Sequence, residues 1–447
     1  MGFRNLAEAV EFLERTGRLL RVDEPVSVRF EAAALLHLAS RDGKAVYLGR
    51  PVPGALPVVG NVLCHDGVLA RALGVPLERA ADEFLARAQA EPVEPRRVGD
   101  APVLAREIPV ADLGDFLPVL THYEGDSAPF LTTAVVSVFD PATGSAARGV
   151  HRMERRGPDR FGVALLNPPL SEVYARAKAA ETPLPAAVTV GHEPLTFLAA
   201  AFKGKPGLDK MAGAGALRGE PVDLVPAPLT GIPVPAEAEL LLEGVIDPSD
   251  ERPDGPFGEI SGVHVALEAT PTFVAERVWC RASPLYHALL PTAWESDRLL
   301  AMVWEAAARA AAAGAGLPVS GVRALPTTYG STVVLRVPPA PADTIERGLR
   351  AVLEQTHVKL AVAVAEDVDP TDPWDLAWSI ASRTQPDRDW SVVSGLRGQP
   401  IDPSAHEAAR TAKAAIDATG YGRVAGRRVR IPEDAVKKAR ELGQRRR

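Results

Sequence analysis

The sequence predicts a mixed α/β (α+β) chain with an N-terminal α/β unit, a central strand-rich unit and a C-terminal α/β domain. Three observations carry this. Apolar residues at helical spacing alternate with short β-rich runs over the first hundred residues. Short strand-like runs separated by Gly/Pro turns follow up to about residue 288. Helix and strand then alternate again, as in a sheet covered by helices. The boundaries expected are 1–110, 111–290 and 291–430, with a basic tail over 431–447.

In order, Leu6, Val10, Leu13 and Leu20 place a helix within residues 6–20, and residues 30–40 continue as a second. β-rich runs come at 45–48 and 56–62, then a helical pair at 68–88. Pro92, Pro95, Pro102 and Pro109 break the periodicity of residues 91–110, which reads as a linker. The central strands fall at 131–139, 161–166, 187–190, 239–246 and 263–280, with one helix at 171–180 and turns at 140–144 and 223–235. Such a pattern suggests a barrel or sandwich with function in its loops. The C-terminal unit has an Ala-rich helix at 296–313, strands at 332–337 and 360–365, and a helix at 343–355. No internal duplication is visible.

At 447 residues the chain is long enough for about two to four domains. Hydrophobic content of 46% and charged content of 24% are those of an ordinary globular protein. The net charge of −7, with basic residues concentrated only at 437–447, argues against nucleic acid as a partner. Cys64 and Cys280 are too few and isolated for a disulfide framework, which fits a reducing cytosol. No window approaches the ~18 apolar residues of a membrane span, and no signal peptide is evident. A soluble, cytoplasmic protein is expected.

The stretch Asp254-Gly-Pro-Phe-Gly-Glu259 sets two carboxylates at either end of a segment that Gly255, Pro256 and Gly258 keep out of regular helix. Two acids sharing a pocket rarely ionise alike, and the one that keeps its proton is a general acid. Glu259 and Asp254 are both candidates. Composition alone favours a surface turn with two solvated acids; the rest of the chain decides otherwise. Other residues tempt less. His192-Glu193 lacks the second histidine of a helical zinc motif, and Pro194 disfavours helix there. Gly213 and Gly215 have neither the lysine nor the strand-to-helix setting of a phosphate loop. His264 and His287 read as packing or hydrogen-bonding residues of the central unit.

An ordered set of segments resembles the UbiD-like carboxy-lyases, the family of 3-octaprenyl-4-hydroxybenzoate decarboxylase. They are Gly17-Arg-Leu-Leu-Arg-Val-Asp-Glu-Pro-Val26, Leu56-Pro-Val-Val-Gly-Asn61, Ala212-Gly-Ala-Gly-Ala-Leu-Arg-Gly-Glu-Pro221, Glu239-Leu-Leu-Leu-Glu-Gly244, Pro253-Asp-Gly-Pro-Phe-Gly-Glu259, His357-Val-Lys359, Glu366-Asp-Val-Asp369 and Ser382-Arg-Thr-Gln-Pro-Asp-Arg-Asp389. The set spans nearly the whole chain. The resemblance implies a central flavin-reductase-like split β-barrel, a C-terminal domain used in oligomerisation, and a homodimer or larger homo-oligomer. It also implies prenylated FMN, supplied by a partner flavin prenyltransferase, and a small carboxylic acid as substrate.

Residue by residue, the resemblance places Arg152, Asp254 and Glu259 in an acid–arginine–acid network. Glu259 would be the general acid, Arg152 would hold the substrate carboxylate or the acids, and Asp254 would position Arg152. Asp254 is one methylene shorter than the family's glutamate, so its reach to Arg152 is the distance to measure. Met153, Lys210 and Lys359 are the cofactor-binding candidates.

The family's divalent ion, usually manganese or magnesium, and its potassium ion use an Asn, a His and a Glu. Those positions read Ala147, Leu170 and Lys210, none of which supplies the expected donor. The metal site is therefore expected to be absent, with Lys210 in place of the cation. Ala199, Ala200 and Ala201 replace the small polar residues of the phosphate turn, with Lys203 and Lys205 just after. The leading expectation is a prenylated-FMN-dependent decarboxylase of an aromatic, heteroaromatic or α,β-unsaturated acid. The rivals are a silent or regulatory subunit of a multi-subunit carboxylase, and a flavin-independent enzyme using the acid pair.

Overall fold

The computed structural model describes residues 2–202, 208–325, 327–405, 409–424, 428–429 and 431–444. A four-stranded sheet runs in the order Leu19–Ser27, Ala45–Val52, Val58–Gly60, Tyr286–Ala288, so its last strand comes from far along the chain. Helices Leu6–Arg15 and Glu31–Arg41 belong to this unit. The central sheet has nine strands and curls into a half-barrel. Its order is Phe130–Leu131, Met153–Arg155, Arg160–Val163, His264–Cys280, Leu240–Gly258, Leu184–Val190, Val135–Asp140, Ser145–Val150, with Arg106–Ile108 also paired to His264–Cys280. One hydrophobic core joins both units, from Leu36 and Val46 through to Val136, Val188 and Phe273.

Residues 91–110, expected as a linker, are tied into two sheets. Arg96 and Arg97 pair with Asp223 and Leu224, and Ile108 pairs with Val278. The pairings there are only two or three residues long and four prolines interrupt the apolar positions, so periodicity carried no signal.

The strand expected to stop at residue 246 runs on as Leu240–Gly258, paired with His264–Cys280 to the end. Its first half is buried. Beyond Ile246 its register shifts three times, around Pro248, Pro253 and Pro256. Proline donates no N–H to a ladder, and bulges absorb the missing bonds. Asp254–Gly258 is thus bulged strand, with Glu259 just past its end, and not the rigid turn expected from its glycines.

The central span also holds two helices beyond the one expected, Pro194–Ala201 and Lys210–Arg218. Pro194 does not oppose the first of them. It occupies the opening turn, where no N–H is needed, and the Glu193 carboxylate caps the N–H groups of Leu195 and Thr196 at 2.8 and 2.7 Å. Gly213 and Gly215 lie inside the second helix, which Gly219 ends in the left-handed region at φ 75°. Gly215 permits close packing there, since a Cβ would sit 2.5 Å from the Val93 carbonyl oxygen.

Helix Trp294–Gly314 leads into a mixed five-stranded sheet of order Gly321–Ala324, Thr332–Val337, Leu360–Ala365, Arg410–Ala418, Trp390–Arg397. Helix Ala342–Gln355 covers one face with Ile345, Leu349 and Val352. Helix Pro373–Arg383 packs Leu376 on the other. Strand Trp390–Arg397 escaped the sequence reading because it is an edge strand whose side chains are largely exposed. No helix among the described residues is long and apolar enough to cross a membrane.

Candidate active site

Arg152 stands between strands Ser145–Val150 and Met153–Arg155, with its side chain only 9% exposed. Its guanidinium lies 4.7 Å from the Phe257 ring centroid and 6.0 Å from that of Phe130. These rings wall the charge off from solvent and stabilise it by cation–π attraction.

The predicted trio comes together. Arg152 Nη2 and Nε donate to Asp254 Oδ1 at 2.6 and 3.0 Å, and Nη1 donates to Glu259 Oε2 at 3.3 Å. The shorter side chain at 254 therefore reaches. It does so with one oxygen taking both donors, while Asp254 Oδ2 is buried without a hydrogen-bond partner among the described residues. Burial pushes the Asp254 carboxyl above its ordinary range, against the pull of Arg152. Glu259 differs: its side chain is 23% exposed and its Oε1 accepts its neighbour Ile260 N–H at 3.0 Å. One guanidinium thus holds a sealed acid and an accessible one.

Sequence reasoning missed what holds this stretch in place. Asp126 Oδ1 accepts the Gly258 N–H at 2.8 Å, Glu154 Oε1 accepts the Gly255 N–H at 3.2 Å, and Ser127 N–H donates to the Pro256 carbonyl at 2.8 Å. Nothing in local spacing links residues over a hundred positions apart. His264, expected to pack or hydrogen-bond, sits with Nε2 3.6 Å from Asp126 Oδ1 and edge-on to Tyr123.

A second polar group surrounds Lys210. Its ammonium donates to the Ala200 carbonyl at 2.6 Å, satisfying the last turn of helix Pro194–Ala201. Next to it, Asp209 accepts Arg148 Nε at 3.2 Å, and the buried Arg148 also donates to Ser137 Oγ at 3.0 Å. Burial brings His151 down to about 4, with Lys210 adding to the effect, and His192 down to about 3, so both rings are neutral near pH 7. Arg148 was not singled out from the sequence. A charged residue inside a strand flanked by Ala147 and Gly149 was the available signal.

Ala147 and Leu170 are buried in the main hydrophobic core. Among the described residues no group of three His, Cys, Asp or Glu side chains is placed to hold a metal ion. A divalent ion of the kind the family implies does not fit this donor set. Two cations of the kind that pair with a phosphate, Arg148 and Lys210, lie here, the first already on Asp209 and the second on the Ala200 carbonyl.

Met153 is fully buried, its side chain in the core and its backbone in register with Leu131 on one side and Val163 on the other. Lys359 lies in the C-terminal sheet region, its ammonium 2.7 Å from Asp402 Oδ2 and bonded to Ser404 Oγ, beside an open cleft of about 410 Å³. Lys203 and Lys205 fall outside the described residues. His287 packs on Phe197, as expected of a packing residue, with Nε2 3.6 Å from Glu295 Oε1.

Three family models cover the chain. They are the 3-octaprenyl-4-hydroxybenzoate carboxy-lyase N-terminal domain over residues 10–88, the Rift-related domain over 96–293 and the C-terminal domain over 300–418. The anhydromevalonate phosphate decarboxylase of Methanosarcina mazei is 31% identical over 416 residues, 91% of this chain and 94% of that one. The phenolic acid decarboxylase of Streptomyces sp. (strain D7) is 29% identical, over 94% of this chain and 92% of its own. The UbiD-class enzyme HmfF from Pelotomaculum thermopropionicum, solved in complex with FMN, superposes with a TM-score of 0.89 at 31% identity, covering 98% of this chain and 99% of HmfF. An evolved dimeric form of HmfF in complex with prFMN gives 0.85 at 29% identity, with 97% and 98% covered.

Proposed function

This chain belongs to the UbiD family of 3-octaprenyl-4-hydroxybenzoate carboxy-lyases, and from that premise we propose that it is a prenylated-FMN-dependent, non-oxidative decarboxylase of an aromatic, heteroaromatic or α,β-unsaturated carboxylic acid. The observation that carries the reading is the single guanidinium of Arg152 joining buried Asp254 to accessible Glu259. When bound, the prenylated flavin supplies the electron sink for loss of carbon dioxide.

The protein's own residues bind, orient and move a proton. Glu259, the acid open to a ligand, donates the proton to the product carbon. Arg152 holds the substrate carboxylate or the acids in a fixed fork, and Asp254 keeps that fork aimed. Arg148 and Lys210 would hold the flavin phosphate, with Lys210 standing where relatives place a cation. Lys359 contributes only if it leaves Asp402. The relatives' substrates, a phosphorylated unsaturated acid and phenolic acids, support the substrate class without choosing within it. A flavin prenyltransferase is the expected supplier of cofactor, and a homodimer the expected assembly.

The replacement of metal donors by Ala147, Leu170 and Lys210 favours a second reading, a catalytically silent subunit that keeps the fold for assembly. Coexpression with a flavin prenyltransferase separates the two. The first reading expects coloured protein whose mass spectrum contains prenylated FMN and which decarboxylates members of an acid panel including anhydromevalonate phosphate and phenolic acids. Colourless, flavin-free protein after anaerobic reconstitution supports the second.

A further inference from the structure

Both glycine amides between the two acids are held by carboxylates from elsewhere in the chain. Asp126, its side chain fully buried, gives Oδ1 to the Gly258 N–H at 2.8 Å and Oδ2 to the N–H groups of His122 and Tyr123 at 3.0 and 2.9 Å. Glu154, also buried, gives Oε1 to the Gly255 N–H at 3.2 Å and to Ser127 Oγ at 2.5 Å. With the Ser127 N–H on the Pro256 carbonyl, the backbone is gripped at 255, 256 and 258. The Tyr123 ring closes the remaining side, since a Cβ on Gly258 would lie 2.1 Å from it.

The grip compensates for a weak ladder. Register shifts between Arg252 and Asp254 and between Asp254 and Phe257 interrupt pairing where the acids must be aimed, and Pro256 has no N–H to contribute. The basic side chains near these carboxylates stand off. Arg156 Nε is 3.6 Å from Glu154, and His264 and His122 are 3.6 and 3.9 Å from Asp126. Buried carboxylates are costly unless hydrogen-bonded, so these two are satisfied largely by the amides they hold.

We propose that Asp126 and Glu154 are positioning residues that clamp the backbone between Asp254 and Glu259 so that both acids meet one guanidinium. Its catalytic consequence rests on the function proposed above; the clamp itself does not.

The test is Asp126→Asn. Asparagine has one acceptor oxygen, and if that stays on the two N–H groups of His122 and Tyr123, its NH₂ faces the Gly258 N–H. The local loop is then kept and the clamp broken. In the purified full chain, amide hydrogen exchange across residues 255–259 is expected to accelerate at least about tenfold, with the melting temperature little changed. In flavin-loaded enzyme kcat should fall about 10- to 100-fold with KM within about threefold, because misplacing a catalytic group by an ångström costs about 10²-fold. Should Asp126→Asn fail to fold, Ser127→Ala, which removes the hydroxyl on Glu154, is expected to accelerate exchange at Gly255 by a smaller factor.

Unchanged exchange at 255–259 in the folded variants overturns the clamp. Accelerated exchange with unchanged kcat overturns its positioning role, provided Glu259→Gln measured alongside is inactive. Full turnover in Glu259→Gln sinks the reading of the site instead, while exchange still decides the clamp.

Discussion

A planar fork that serves two acids has no ammonium equivalent. Three of the Arg152 nitrogens are engaged, two on Asp254 and one on Glu259, so Arg152→Lys keeps the charge but loses the geometry. Decarboxylation by that variant is expected to drop at least about 100-fold, within the range of a lost charge-stabilising contact. Glu259→Gln should remove turnover and isotope exchange at the product carbon while leaving bound flavin in place. General acids contribute about 10²- to 10⁴-fold, and an amide N–H is far too weakly acidic to replace the carboxyl proton. Turnover within a few-fold of wild type would take Glu259 out of the mechanism. Lys210 makes a different kind of prediction because it already satisfies the Ala200 carbonyl. Lys210→Ala should lower stability by about 1 kcal/mol, the worth of a hydrogen bond lost at a helix end, and weaken FMN binding as well. Chelator treatment should leave FMN binding unchanged, as titration of FMN into treated protein would show. A stoichiometric divalent ion found by metal analysis would contradict this.

At the scale of elements, the strand that carries the acids begins beside Glu239, whose side chain is buried behind Arg281 and the Leu285 N–H. Burial raises its carboxyl to about 7. A carboxyl raised on folding stabilises the protein fully below its unfolded value near 4.5, and that contribution is lost as pH rises to about 7. Glu239→Gln does not ionise, so relative to wild type it should gain on the order of 2 kcal/mol between pH 4.5 and pH 8, after allowance for relaxation around the buried charge. Denaturant titrations at the two pH values check this, and equal shifts would contradict it. This scale also shows what the sequence made legible. Arg152, Asp254 and Glu259 were readable because they sit in short motifs with strong resemblance, and helices such as Ala342–Gln355 because one face is apolar. Helix Pro194–Ala201 was not, since it is buried all round and has no polar face to reveal a period. Asp126 and Glu154 were not, because the glycine amides they hold, Gly258 and Gly255, are over a hundred residues away in sequence.

At the scale of the molecule, the C-terminal sheet ends in an edge strand that no other described strand pairs from outside. Among the described residues, strand Trp390–Arg397 pairs on one side only, with Arg410–Ala418, and the only charged residue along it is Arg397. Trp390 and Val392 are 42% and 68% exposed, and Trp374 is 83% exposed on helix Pro373–Arg383. A free edge with apolar side chains invites pairing with another chain unless charge or proline blunts it. The expected partner is a second copy, because an edge that meets itself across a two-fold axis satisfies its own unpaired N–H and C=O groups in both subunits. Light scattering at micromolar concentration should therefore give at least twice the 47.4 kDa chain mass. Val392→Lys places a charge in the middle of that edge and should shift the population toward monomer, while Trp374→Lys tests whether the neighbouring helix shares the interface. Neither substitution touches the Arg152 site, so flavin content should persist in the monomer. A wild-type chain that runs as a 47.4 kDa monomer, or a Val392→Lys chain that remains fully dimeric, would rule out this edge as the contact.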